Sequence, residues 1–533
     1  MSTQKKTTTK KNDTKTEQSK KINSIWYYIA GLAIIFVISF SYIFNEKIDL
    51  NGDNCDYYML ATSIAEGHGY SNISSSEYPP ANNFPPGYPF LMSLIRFFTD
   101  SILVQKIYNG LFLLASSVLF FLFIRRNNLP TSLAFVASAA VLLNYYVLHF
   151  ATMMMSEMSY LFMSVLALWA LSKIDYSKRF WKDPFFYVVI LSVAFGYYIR
   201  TQGVALFVAV LCFFLCTRKW KYSLGYVAGF IICQIPWMIR NKIQGFEGNR
   251  YLESVGMANA WRPEEGVLDF GGIVSRFFDT LSMLITKAVP SSIIPYFSVD
   301  YEVKSGLFDW VIALLLFAVI ILGFIRFGKY KYFFIFYVIA MFGVICLHSA
   351  PSQNRYITTL LPFFEVGLFV GLYTILDFIV KRTKIAPSFS PWILAVLFIL
   401  VSFPKLKDLH KINKAPFPPN YENFFKVAKT VHDNFPDTVM VCSRKPSMFY
   451  MYGRTRICNY KWTENDVELI QGLIDNKVDF VVLEQLGYSS TFRYLYPAIQ
   501  KHQELFAPIY YLPNPDTYLL KFEREQAIQK LKK

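Results

Sequence analysis

One stretch decides how the chain is read, residues 25–60: IWYYIAGLAIIFVISFSYIFNEKIDLNGDNCDYYML. Its first part, 25–44, offers about 20 apolar-dominated positions, enough to cross a hydrocarbon core of about 30 Å. No small-residue cleavage site follows, so a retained first helix is predicted instead of a signal peptide. Asp53 and Asp56 follow it closely. The next residues, Tyr57-Tyr58-Met-Leu-Ala-Thr-Ser-Ile-Ala, read as a short amphipathic helix at the membrane surface. Asp53 then lies at or near the N-terminus of that helix, where the dipole favours a carboxylate. Its bland reading is a helix cap, which is compatible with a chemical role because a cap also holds a base in place.

Before this stretch, residues 1–24 are polar, carry seven lysines and read as a disordered basic tail. After it, apolar runs recur near 103–124, 132–150, 153–172, 185–199, 202–217, 222–239, 306–325, 332–348, 357–380 and 390–404. With the first helix they predict about eleven transmembrane spans. The run 185–216 as one helix would reach about 48 Å at 1.5 Å per residue. Arg200-Thr201-Gln202-Gly203 interrupts it, so two short spans meeting at Arg200 are expected.

Composition agrees with a polytopic α-helical membrane protein. Of 533 residues 54% are hydrophobic and 18% aromatic, while only 17% are charged, against about 25% in a soluble domain. That excludes intrinsic disorder for most of the length and, despite the net charge of +16, a nucleic-acid partner. With the tail on the cytoplasmic side, the predicted cytoplasmic loops hold Arg125-Arg126, Lys173/Lys178/Arg179/Lys182, Arg218/Lys219/Lys221, Arg326/Lys329/Lys331 and Lys381/Arg382/Lys384. Every one is basic, as the positive-inside rule requires. The tail and these loops hold 22 of the 53 basic residues against four acids, Asp13, Glu17, Asp175 and Asp183. The charge thus encodes how the chain is threaded. The other, external side receives the long segments 45–102, 241–305 and 405–533, which places chemistry on the outer face.

Residues 405–533 change character. Helices are predicted at 421–434, 446–452, 464–476 and 491–502, and strands at 438–442, 455–460, 478–484, 506–512 and 517–522: a small external α/β domain. No Gly-rich phosphate loop opens its helices, and it is expected to cap the membrane core 25–404 without catalysing. Of seven cysteines four lie in apolar runs, none has metal-ligand spacing, and a disulfide between Cys442 and Cys458 has no framework behind it.

The first external loop is the richest in functional residue types: Asp53, Asp56, Tyr57, then Gly67-His68-Gly69-Tyr70 and Pro85-Pro86-Gly87-Tyr88-Pro89. The aspartate just after the first span, the DxxxY spacing Asp53…Tyr57, the G-x-G-Y turn and PPGYP resemble the GT-C glycosyltransferase superfamily. The nearest branch is the one holding protein O-mannosyltransferases and lipid A aminoarabinose transferases. The resemblance extends over nearly the whole chain. It implies a GT-C core with an external C-terminal domain, set in a cell membrane, most simply a bacterial inner membrane. It also implies a polyprenyl-phosphate sugar donor, a glycan, lipid or protein acceptor, contact with membrane lipids, and inversion at the anomeric carbon. No cofactor is required by that branch; Asp53 and Asp56 are candidate ligands if a divalent cation is used, which is the less favoured reading.

Under the resemblance Asp53 matches the catalytic base, a carboxylate able to take the acceptor's hydroxyl proton. Asp56 stands three residues on, where relatives often carry an acid directly after the aspartate; here that position is Asn54. Glu157, in an apolar stretch where a carboxylate is costly, matches a second acidic position that orients the acceptor or a basic partner. A departing lipid phosphate needs cations. The candidates are Arg355 with Tyr356, Arg240 in Pro236-Trp237-Met-Ile-Arg240-Asn241, then Arg200, then Arg262 and Lys242; each is otherwise an interfacial cation reaching lipid phosphates. His149 and His348 read as hydrogen-bonded interfacial residues, and Glu365 as a polar interior contact. Two rival classes stand beside the transferase: a lipid or sugar transporter or flippase, and a non-catalytic assembly subunit.

Overall fold

The structure is a computed structural model and describes residues 25–532 apart from 51, 75–76, 247–253, 260–264, 295–298, 349–352 and 383–388. The basic tail and Arg262 lie outside the described residues. The chain divides into two compact units, Met1–Asn45 with Lys106–Lys414, and Glu46–Gln105 with Ala415–Lys533. Residues 46–105 therefore belong with the C-terminal segment, not with the helices that flank them in sequence.

In the first unit each apolar run is helical. Six helices among the described residues are long and apolar enough to cross a membrane: Ile25–Ile43, Ile102–Arg126, Trp220–Ile243, Leu307–Ile325, Gly328–Leu347 and Leu361–Val380. The pair Thr131–Leu143 and Tyr145–Ala151, bent by 64°, makes a seventh if it is one span. Asn144 forms the bend: its own backbone is extended, and its side-chain oxygen accepts from Val147 N, capping the second helix. Pro184–Ile199 and Gly203–Cys216 are shorter apolar helices. They meet where the sequence predicts, with Arg200 in extended conformation between them. Gly203 is needed at this joint, because a Cβ there would lie 2.5 Å from Tyr197 Cα.

The run 357–380 differs from expectation. Arg355 and Tyr356 do not open the long helix but sit on a separate short one, Gln353–Ile357. The long helix begins at Leu361 with Pro362 in its first turn. A proline tolerates that position but not the helix interior, so the helix restarts there. Helices Leu307–Ile325 and Leu361–Val380 pack backbone to backbone: a Cβ on Gly323 or Gly371 would overlap the carbonyl of Gly367 or Val319. Small residues allow such close approach where no hydrophobic effect drives helix association.

In the second unit the C-terminal segment folds around a five-stranded sheet of order β2-β1-β3-β5-β4: β1 Met440–Cys442, β2 Arg456–Cys458, β3 Phe480–Leu483, β4 Phe506–Leu512 and β5 Thr517–Phe522. The first three strands are parallel; β5 runs antiparallel to β3 and β4. Helices Pro419–Asn434, Pro446–Gly453 and Asp466–Asp475 occupy the predicted places, and a last helix, Arg524–Leu531, was not predicted. Ile470, Leu473, Val481, Leu495 and Leu520 are among the residues that form the core of this half. Cys442 and Cys458 are register partners on β1 and β2, and both thiols are free.

Candidate functional site

The first group of site residues lies in the second unit. The helix after the first span is Asp53–Ala65. Its N-cap is Gly52, not Asp53, and no side chain caps it; Gly52 O accepts from Cys55 N at 2.8 Å. Gly52 has φ of 98°, a left-handed conformation suited to glycine, and a Cβ there would stand 3.6 Å from Lys445 Nζ. Asp53 and Asp56 share the first turn. The helix is not amphipathic as expected: Asn54, Cys55 and every residue from Tyr57 to Ser63 are buried. It is enclosed because it packs on both Gly87–Arg96 and Pro446–Gly453.

The motif residues build this enclosure. Tyr57 meets Phe84 at 4.9 Å and Tyr88, edge-on, at 5.0 Å between ring centres. The turn at Gly67 and Gly69 (φ of 85° and 70°) delivers Tyr70, whose hydroxyl donates to Phe84 O at 2.7 Å. The guanidinium groups of Arg96 and Arg454 stand 5.0 and 5.4 Å from the Tyr58 ring centre. Arg96 in turn donates from Nε to Thr62 Oγ1 at 2.9 Å and pairs with Asp100.

Burial pushes the Asp56 carboxyl up to about 6, and the neighbouring Asp53 charge adds to the rise; a hydrogen bond from the Ser447 hydroxyl and the Lys445 ammonium act against it. Asp56 keeps some exposed surface, so this is a crowded carboxyl and not a sealed one. Lys445 and Ser447 were missed by sequence reasoning: nothing near 445 marks it as a neighbour of Gly52.

The second group lies in the first unit. Glu157 opens the helix Glu157–Lys173 and is fully buried. One of its oxygens, Oε1, meets both Arg200 Nη1 at 2.8 Å and Arg355 Nε at 3.0 Å. Arg200 also donates to Ser156 Oγ at 2.9 Å and to Gln202 Oε1 at 3.1 Å. The other oxygen, Oε2, has no hydrogen-bond partner among the described residues. Two guanidinium groups thus converge on one oxygen of a buried carboxylate.

The short helix bearing Arg355 is moored by its neighbour. Asn354 donates to the Tyr146 hydroxyl at 2.6 Å and accepts from the Tyr301 hydroxyl at 2.6 Å. Tyr356 faces the His348 ring at 5.2 Å. Glu365 is buried one helix turn and more beyond, and accepts from Asn144 at 2.8 Å.

Arg240 lies in the last turn of Trp220–Ile243. Its guanidinium stacks on Trp237 at 4.8 Å and Phe246 at 5.2 Å and donates to Asn241 at 3.0 Å. Lys242, exposed, lines with Asn241, Ile239 and Phe246 a cavity of about 600 Å³ that is mostly apolar. Among the described residues no cluster of His, Cys, Asp and Glu has the makings of a metal site.

Neither a protein-family model nor a curated protein matches this sequence. Solved structures do. The archaeal oligosaccharyltransferase AglB from Archaeoglobus fulgidus, solved with an inhibitory peptide and a dolichol-phosphate, superposes at a TM-score of 0.58 with 14% identity, covering 92% of this chain and 74% of that one. ArnT from Cupriavidus metallidurans in the apo state gives 0.58 at 10% identity over 96% of this chain and 99% of that one. The same ArnT bound to undecaprenyl phosphate gives 0.56, over 94% and 98%. At these identities the likeness is one of fold: the chain shares the architecture of AglB and ArnT.

Proposed function

Proceeding from the GT-C fold, we propose that this chain is an inverting glycosyltransferase that moves a sugar from a polyprenyl-phosphate carrier to an acceptor hydroxyl on the outer face of the membrane. The observation that carries the reading is the pair of arginines that converge on the buried Glu157: guanidinium groups gathered at one point suit the binding of a phosphate. The topology that goes with it is eleven spans, a cytoplasmic N-terminus and an external C-terminal segment.

In this reading Asp53 accepts the acceptor's proton as its oxygen attacks the anomeric carbon. The bond from that carbon to the carrier's phosphate breaks, and the phosphate leaves with one more negative charge. Arg355 and Arg200, fixed by Glu157, stabilise that charge; Arg240 and Lys242, beside an apolar cavity, suit a lipid phosphate and its tail. Asp56 organises the acceptor side with Asp53, and Tyr57 fixes the helix that carries both. The transporter alternative rests on Glu365, and its hydrogen bond to Asn144 at the bent span gives that residue a structural task instead.

The test is transfer from a polyprenyl-phosphate sugar by purified D53N. A loss of about 10²-fold or more is expected for a removed general base; unchanged transfer would sink the proposal. Mass spectrometry of lipid extracted with the native protein identifies the donor, and recovery of a polyprenyl-phosphate sugar is the expected result.

A further inference from the structure

The C-terminal segment carries no phosphate loop, but its sheet offers another kind of site. β1, β2 and β3 are parallel and stand in the order β2-β1-β3. From β1 the chain passes through Pro446–Gly453 to β2 on one side, then through Asp466–Asp475 to β3 on the other. The direction of winding reverses between β1 and β3. In open α/β sheets, ligands bind beyond the carboxyl ends of the strands at such a switch point.

The segments that leave these strand ends bring cations and aromatic rings together. Arg444 and Lys445 follow β1, Trp462 follows β2, and Tyr488 and Ser490 follow β3. The Arg444 guanidinium stands 4.4 Å from the Trp462 ring centre and 4.6 Å from that of Tyr488; the Lys445 ammonium is 4.7 Å from the same Tyr488 ring. Arg444 Nε donates to Ser490 Oγ at 2.5 Å, which anchors the fork. Among the described residues no hydrogen bond takes its two Nη groups, and neither cation forms an ion pair. Glu484, directly after β3, is buried; its oxygens accept from the Thr491 hydroxyl and from Leu486 N, so its hydrogen bonds brace the loop and none goes to Arg444. Ser443, between β1 and Arg444, is fully buried, and its hydroxyl has no hydrogen-bond partner among the described residues.

We propose that the carboxyl ends of β1 and β3 form a binding site for an anionic sugar: the Nη groups of Arg444 and the Lys445 ammonium take its phosphate or carboxylate, and the exposed Trp462 ring takes a face of the sugar. A guanidinium that is already stacked and anchored loses little freedom on binding, and its Nη edge matches two oxygens of such a group. The indole adds rigid apolar surface beside that charge. The site lies next to the start of the helix that carries Asp53: a Cβ on Gly52 would stand 3.6 Å from Lys445 Nζ. Under the transferase reading, on which this last step rests, the bound sugar is the acceptor, and the acceptor therefore carries a negative charge.

The experiment uses the full chain in nanodiscs and phenylglyoxal, which modifies guanidinium groups. Modification of Arg444 is quantified by peptide mass spectrometry against rising concentrations of glucose 1-phosphate, inorganic phosphate, glucuronate, acetate and glucose. Glucose 1-phosphate should protect Arg444 at a concentration about fivefold lower than inorganic phosphate, glucuronate should protect better than acetate, and glucose should not protect. K445M should raise every half-protecting concentration by about tenfold, the loss of one charged contact. W462A, at an exposed ring, should remove the advantage of the sugar phosphate over inorganic phosphate. Absence of protection by any anion overturns the site, and equal protection by inorganic phosphate and glucose 1-phosphate overturns its assignment to a sugar. If Arg444 is protected and D53N still transfers sugar normally, the site stands and the transferase reading has failed; if D53N is dead and no anion protects Arg444, the reverse holds.

Discussion

Arg355 Nε donates to Glu157 Oε1 at 3.0 Å, joining residues 198 positions apart in the sequence. Arg200 reaches the same oxygen from the joint between two short helices. One buried carboxylate thereby fixes two guanidinium groups that arrive from different helices, and it does so at a depth where neither charge is well hydrated. The consequences of that arrangement can be measured.

Replacing Glu157 with Gln leaves two close cations without their counter-charge. Breaking a buried pair from one side costs about 3–5 kcal/mol, so E157Q should unfold at a markedly lower temperature in detergent. Adding R200Q to E157Q relieves the repulsion. The double variant should therefore be less destabilised than the sum of the two singles, and strict additivity would mean that the three groups are not coupled.

Exchanging Arg355 for Lys keeps the charge and discards the planar fork. The ammonium cannot hold Glu157 and face a phosphate with the same set of donors. R355K should raise KM for the lipid-phosphate donor by about tenfold, equivalent to about 1.4 kcal/mol, with a smaller change in thermal stability than E157Q. Equal kinetic constants in R355K and the native protein would remove Arg355 from the donor site.

Asp56 gives a pH signature. Its carboxyl is raised by burial from an ordinary 3.8 to about 6 in the folded protein. A raised carboxyl binds more protons folded than unfolded between those values, so its contribution favours folding below about pH 4 and is lost as pH rises through about 6. D56N removes the loss. Allowing for the part of Asp56 that remains solvated, D56N should be more stable than the native protein by about 1–2 kcal/mol at pH 7. The difference should shrink toward pH 4. Melting temperatures of the two proteins across that range decide the matter, and a constant offset would contradict it.

The helix pair Leu307–Ile325 and Leu361–Val380 should be intolerant of a single methyl group. G371A places a Cβ onto the Val319 carbonyl and G323A onto that of Gly367. Each should cost about 1–3 kcal/mol through overpacking. By contrast G343A, where a Cβ meets nothing within 4 Å, should leave the melting temperature unchanged or slightly higher. Equal stability across all three would mean that the helices do not touch at these glycines.

Local signals made much of this protein legible. Apolar runs of spanning length placed the helices, because a membrane demands continuous apolar surface and internal hydrogen bonding whatever the tertiary arrangement. Arg200-Thr-Gln-Gly marked the joint between two short helices, since a charge followed by glycine breaks an apolar helix by itself. Alternating strand and helix patterns gave the C-terminal α/β half nearly element by element, and Asp53, Glu157 and Arg355 stood out as costly charges beside apolar segments. Other features belong to the fold alone. The Asp53 helix read as amphipathic but is buried all round, because its polar side is taken up by Gly87–Arg96 and by a helix nearly 400 residues later. Which arginines share Glu157 depends on packing over 198 residues, and no spacing rule records that. Lys445 and Ser447 carry no mark in the sequence, because electrostatic neighbours are set by distance in space while a sequence lists only distance along the chain. The sequence determined which segments form apolar helices and where costly charges stand beside them; only the tertiary structure decided which of those residues meet.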